Sequence, residues 1–124
     1  MIDTRTGLAV QSPIDIDADQ TAQRQEITAK FFHGLSDLTR LRMVELLLDE
    51  GEKNVSELVE LLGQPQSRIS NHLACLRWCG YVDSRREGKF VYYRISDPRV
   101  RELLALARGV ISDNAAAILS CTRI

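Results

Sequence analysis

The sequence has no long apolar run. Its hydrophobic stretches break within a few residues, as the stretch from Val44 to Leu48 does at Glu45. A helix needs about 20 mainly apolar residues to cross a bilayer, so a membrane-spanning helix is excluded. The opening MIDTRTGLAVQSPIDIDADQ lacks a basic start followed by an apolar core. A secretion signal is therefore not expected, and a cytoplasmic location is. Cysteine is scarce: three residues, an odd number, cannot close a disulfide framework, which leaves thiols with a possible task. There is no glycine-rich phosphate loop, paired-carboxylate motif or pocket signature. A nucleophilic Cys75 or Cys79 would find only His72 as a local base, so an enzyme is not expected. An excess of one charge is also missing, with 16 Lys and Arg against 17 Asp and Glu and a net charge of −1. Any surface for a polyanion must therefore be local.

What is present fills one domain of 124 residues. Charge is unevenly placed. Residues 66–95 hold six basic side chains (Arg68, Arg77, Arg85, Arg86, Lys89, Arg94) against Asp83 and Glu87, a local +4. Residues 1–20 are polar and acidic with Pro13 and are expected to form a flexible arm, leaving 21–124 as the folded domain. Ile27, Phe31 and Leu35 recur at helical spacing over 21–35. Asp37 suits the N-cap of a helix over 38–49, with Leu41, Val44, Leu47 and Leu48 on one face. A short helix opens at Ser56 and ends at Gly63. After Pro65 a fourth helix is predicted over 66–79, with Ile69, Leu73 and Leu76 as its core stripe. The period then changes to two: YVDSRRE and KFVYYRI flank Gly88 as a β-hairpin. Asp97-Pro98 opens a last helix with Val100, Leu103, Leu104, Ala107, Val110 and Ile111 apolar. The predicted fold class is mainly α with a small β-hairpin.

Two short helices joined by a tight turn, then a basic hairpin, spell a winged helix-turn-helix. Gln66, Ser67, Arg68, Ser70, Asn71 and His72 stand early on the second of these helices, as short or forked hydrogen-bonding groups suited to base edges and phosphates. Arg85, Arg86 and Lys89 cluster around Gly88, where a wing would meet the DNA backbone. Several such phosphate contacts make binding strongly salt-dependent.

The stretches LSDLTRLRMVELLL (35–48), VSELVELLG (55–63), SRISNHLACLRWCGYV (67–82) and REGKFVYYRI (86–95) resemble the ArsR/SmtB family of metal-responsive repressors. The likeness covers about 35–95, with the run from Ser67 to Leu73 as its most specific part. Leu38 stands where the family usually has proline, and Pro65 where it usually has serine or threonine. The resemblance implies a homodimer built on the first and last helices. It also implies double-stranded operator DNA as partner, with the two recognition helices on an imperfect palindrome. The faces of 21–35 and 97–111 are equally compatible with packing inside one chain.

Cys75 and Cys79 are spaced i, i+4, which puts their Cβ atoms about 6 Å apart on one helix face. At 100° per residue they lie about 120° and 80° from Ile69, off the centre of the core stripe. Both sulfurs can reach one soft cation at roughly 2.3 Å or longer. Cys121, in the tail, can join them from its own subunit or from a dimer mate. Three thiolates suit Cd(II), Pb(II), Hg(II) or As(III).

Other metal sites of the family find no counterpart. Residues 97–121 contain no histidine, and NVSELVEL has no cysteine pair. LACLRWCG is similar to the LxCLRxCG of the CmtR cadmium/lead-sensing branch, which implies Cys75, Cys79 and Cys121 as metal ligands, Cys121 by order and tail position only. The expected function is a repressor that holds its operator without metal and is released when a soft ion binds. Three alternatives stay open at this level. The first is a thiol redox switch using the same cysteines, the second an enzyme, and the third a DNA-binding or protein-interaction module with no ligand.

Overall fold

A computed structural model describes residues 18–123. The expected arm falls largely outside these residues, but its limit moves: helix α1 spans Ala18–His33, so 18–20 are helical. The described residues fall into two compact units, one ending at Leu38 and the other beginning at Thr39. In the first unit, α1 carries a Glu26–Lys30 ion pair one turn apart and an edge-on contact between Phe31 and Phe32. It stops where the Gly34 N–H donates to the carbonyls of Lys30 and Phe31.

The winged motif builds the second unit. Helix α2 spans Leu38–Glu50 and buries Met43, Val44 and Leu47. The expected stripe lay on Leu41, Val44, Leu47 and Leu48. Met43 replaces Leu41 and Leu48 at its centre, and these two are only half-buried. Strand β1, Lys53–Asn54, was not expected; it leads directly into α3, Val55–Leu62. The helix opens one residue before the expected Ser56, and its cap is Asn54. Its side chain accepts from the Glu57 N–H, and the Glu57 carboxylate accepts from the Asn54 N–H, at 2.9 and 2.8 Å. This reciprocal pair satisfies two otherwise orphaned donors. Gly63 ends α3 at φ 65°, a left-handed conformation that a Cβ would strain.

Helix α4, Gln66–Trp78, follows within three residues. Its Ile69, Leu73 and Leu76 are fully buried, as their spacing predicts. Pro65 stands just outside as an N-cap without a side-chain bond, and its carbonyl accepts from the N–H groups of Arg68 and Ile69. Across the turn, Gln64 Nε2 donates to Thr39 Oγ1 at 2.9 Å, tying the start of α2 to the joint between α3 and α4.

Strands β2 (Val82–Glu87) and β3 (Phe90–Ile95) form the wing, in register from Val82↔Ile95 to Glu87↔Phe90. The two-residue turn has Gly88 at its first central position with φ 62°, the hand that matches strand twist. Strand β1 adds antiparallel to β3, so the expected hairpin is in fact a three-stranded sheet of order β1-β3-β2. Tyr81, at the foot of the wing, is fully buried beside Val82.

Helix α5, Arg99–Ser112, is opened by Asp97, whose carboxylate accepts from the Arg99 N–H and guanidinium. Arg99 holds the Asp97 carboxyl down to about 2. Only Val100 and Leu104 of the expected apolar face are buried; Val110 is 70% exposed and Ile111 is exposed as well. Arg108 reaches Glu45 of α2 at 2.9 Å. A further short helix that periodicity did not indicate, α6 (Ala115–Ser120), ends at Cys121.

Candidate functional site

Burying Ile69, Leu73 and Leu76 fixes which way the rest of α4 faces. Gln66, Ser67, Arg68, Ser70 and Asn71 are all exposed. Their side chains are the hydrogen-bonding set that a major-groove helix offers from its N-terminal turns. His72 departs from this set. It is half-buried, and Arg40 of α2 lies with Nη1 3.3 Å from His72 Nδ1. Further along the outward face, Trp78 is 90% exposed, a feature that the sequence did not single out.

The three basic residues assigned to the wing divide. Arg86 and Lys89 are exposed at its tip, and the Lys89 ammonium lies 5.5 Å from the Phe90 ring centroid. Arg85 is half-buried and gripped by carboxylates. Its Nε and Nη2 donate to both oxygens of Glu52 at 2.7 and 2.8 Å, and its Nη1 to Glu87 at 2.6 Å. The guanidinium also stacks 4.9 Å over the Tyr92 ring. Arg85 therefore clamps the wing to the segment before β1, and its charge is already matched. The Glu52 carboxyl is held below its usual range chiefly by this hydrogen bond. Arg94 is likewise paired, with Asp83 at 2.8 Å.

Cys75 and Cys79 are both half-buried, on the flank of α4 between core and solvent, and no disulfide joins any of the three cysteines. The two residues stand one helical turn apart on α4. Burial pushes the Cys79 thiol above its ordinary value, and the neighbouring Cys75 adds to this, while Arg40 pulls the other way. Cys79 in turn adds to the burial that raises the Tyr81 phenol. The donors are soft, adjacent and able to lose protons, which fits a thiophilic cation. Cys121 is exposed at the end of α6. Among the described residues, no three His, Cys, Asp or Glu side chains gather to hold a metal ion, so the protomer brings the first pair together but not the third thiol. Among those residues, too, no helix is long and apolar enough to cross a membrane.

Residues 37–84 match the model of a bacterial regulatory protein family, the arsR family. The chain is 47% identical over 107 residues to a probable mercury resistance operon repressor from Streptomyces lividans, covering 86% of this chain and 85% of that protein. It is 34% identical over 100 residues to a cadmium resistance transcriptional regulatory protein CadC homolog from Staphylococcus aureus, covering 81% and 73%. Its fold is similar to a homodimeric winged helix-turn-helix DNA-binding domain from Mycobacterium bovis. That match has a TM-score of 0.70 and 30% identity, and covers 87% of this chain and 94% of that one.

Proposed function

The chain belongs to the arsR family of bacterial regulatory proteins, DNA-binding transcriptional regulators rather than enzymes, and from that premise we propose that it is a homodimeric repressor whose hold on operator DNA is released when Cys75, Cys79 and Cys121 bind a soft cation. The observation that carries this reading is the placement of half-buried Cys75 and Cys79 one turn apart on the helix that presents Gln66, Ser67, Arg68, Ser70 and Asn71. A ligand held there acts on the reading helix itself. Cd(II) and Pb(II) follow from the cysteine pattern, and the mercury and cadmium resistance relatives support Hg(II) and Cd(II). As(III) suits the same three thiols.

Without metal, α4 enters the major groove through its exposed N-terminal turns, and Arg86 and Lys89 meet phosphates. On loading, Cys121 joins the pair and ties the tail to the C-terminal half of α4, which lowers the population of the DNA-competent orientation. A coupling of about 5- to 150-fold in affinity is the usual range for such linkage. Two further observations support dimerisation: Leu106, Val110 and Ile111 of α5 are exposed, as are Ile27 and Phe32 of α1. A two-fold dimer reads an imperfect palindrome.

The test is an anaerobic titration of reduced protein with Cd(II), Pb(II), Hg(II), As(III) and Zn(II), followed by thiolate charge-transfer absorbance and repeated on Cys121→Ser. The proposal expects one tight ion per subunit, weak zinc and an impaired variant. Binding that ignores all three cysteines would overturn it. The same pair of neighbouring free cysteines favours a second reading, a redox switch. Inactivation by an oxidant that a reductant, and not a chelator, reverses would select that reading.

A further inference from the structure

The outward side of α4 extends well past its N-terminal turns. Ser67, Asn71, Ala74 and Trp78 follow one another at i, i+4, i+7 and i+11, one row along the helix. At about 100° per residue this row lies opposite the buried Ile69, with Trp78 about 180° from it. At the C-terminal end of the row, Ala74, Arg77 and Trp78 line a surface cavity of about 460 Å³. All three are exposed. Arg77 flanks the row on the side of Gln66 and Ser70, whereas Cys75 and Cys79 lie on the other flank, so the cavity is separate from the cysteine pair. Among the described residues no carboxylate pairs with Arg77, while Arg85 and Arg94 of the same basic stretch are matched.

We infer that Ala74, Arg77 and Trp78 form a contact for the sugar–phosphate backbone of duplex DNA, and that this contact positions the N-terminal turns of α4 in the groove. This rests on the repressor reading above, in which α4 enters the major groove through those turns. The row runs without a break from Ser67 and Asn71 to the cavity. From Asn71 to Trp78 the helix advances about 10 Å. The major groove is about 12 Å wide, so its wall stands about 6 Å from its middle. With Asn71 over base edges, Trp78 is level with the wall of sugars and phosphates.

The chemistry at that level is complementary. The Arg77 guanidinium is a cation with five donors for phosphate oxygens. The Trp78 indole offers one N–H donor to a phosphate and a flat apolar face to a deoxyribose. Ala74, with only a methyl group, leaves the backbone room to approach. An apolar helix of a second copy would cover Arg77 without supplying an anion, which is costly. Contacts to phosphate and sugar fix register and orientation and carry no sequence information.

Trp78 is the only tryptophan of the chain, so indole fluorescence reports on this place alone. The experiment uses the full-length, reduced, metal-free protein and two duplexes of equal length, one selected by the protein from a random pool and one of scrambled sequence. Binding is followed separately by the anisotropy of a label on the duplex. Saturation with either duplex is expected to change the Trp78 emission and to protect it from quenching by acrylamide. Trp78→Ala should weaken binding about tenfold or more, as loss of a hydrogen bond to a charged group does, and by the same factor on both duplexes. Trp78→Phe keeps a flat face without the donor and should recover part of that loss. Arg77→Gln should lower the salt slope by about 1 for each phosphate contact removed, a readout that a merely structural role would not move. Unchanged emission and quenching at saturation overturn the inference while DNA binding stands, and this wild-type result decides even where a variant folds poorly. A loss confined to the selected duplex overturns it as well, by making Trp78 a base reader. Protection that grows with protein concentration in the absence of DNA overturns it by assigning the cavity to a second copy. Failure to bind any duplex overturns the repressor reading and the inference together.

Discussion

Cys79 shows how its surroundings set the protonation of one side chain of the proposed site. Burial and the neighbouring Cys75 both hold its proton on, against the pull of Arg40. A cation bound as proposed must displace that proton, so its apparent affinity is expected to fall as pH falls. Below the thiol range, each thiol that binds adds about one power of ten in affinity per pH unit, since each releases one proton. Cd(II) affinity measured between pH 6 and 8 should therefore rise with a slope of about two to three protons, and a flat profile would show that thiolates are not the ligands. At this scale the sequence was readable where spacing alone decides. Ile69, Leu73 and Leu76 recur at helical intervals and are fully buried. It was less readable where the partner lies far along the chain. Arg85 looks like any wing arginine until Glu52, 33 residues away, is placed beside it. His72 looks like any early helix residue until Arg40 is placed behind it.

At the scale of elements, short-range chemistry was legible and tertiary pairing was not. The change of period at Gly80 marked the wing, and Gly88 marked its turn. Strand β1 has two residues, too few for any alternation to register, and exists because β3 offers it an edge. Its end supplies the cap of α3, so the helix-turn-helix and the sheet share Asn54. Asn54→Ala should cost about 0.5–2 kcal/mol, read as a lowered denaturation midpoint with an unchanged slope. The wing makes a second prediction. Arg86 and Lys89 are exposed at its tip, whereas Arg85 is already held by Glu52 and Glu87. Arg86→Ala or Lys89→Ala should weaken DNA binding and lower the salt slope by about 1 each. Arg85→Ala should change that slope less, since its charge is matched. Glu52 has a lowered carboxyl, so its clamp on Arg85 is complete above the ordinary carboxylate range and is lost as pH falls through the lowered value.

For the whole molecule, the exposed apolar side chains of α5 are the feature that one protomer leaves unexplained. Leu106 is 73% exposed and Val110 70%. Joining two reading heads multiplies their individual affinities, commonly by about 10² to 10⁴. Val110→Glu should therefore convert a dimer of 14.0 kDa chains to monomers in sedimentation and weaken operator binding by at least about 100-fold. A dimeric variant with full affinity would place the interface elsewhere. The central claim is that ligand binding at the recognition-helix cysteines releases DNA. Its most direct test is the affinity of the reduced protein for a duplex selected from a random pool by the metal-free protein. That affinity would be measured with and without Cd(II) or Hg(II), for wild type and Cys75→Ser. The account predicts a loss of about 5- to 150-fold in the wild type and less than about twofold in the variant. Equal release of both proteins, or no release of either, would contradict it.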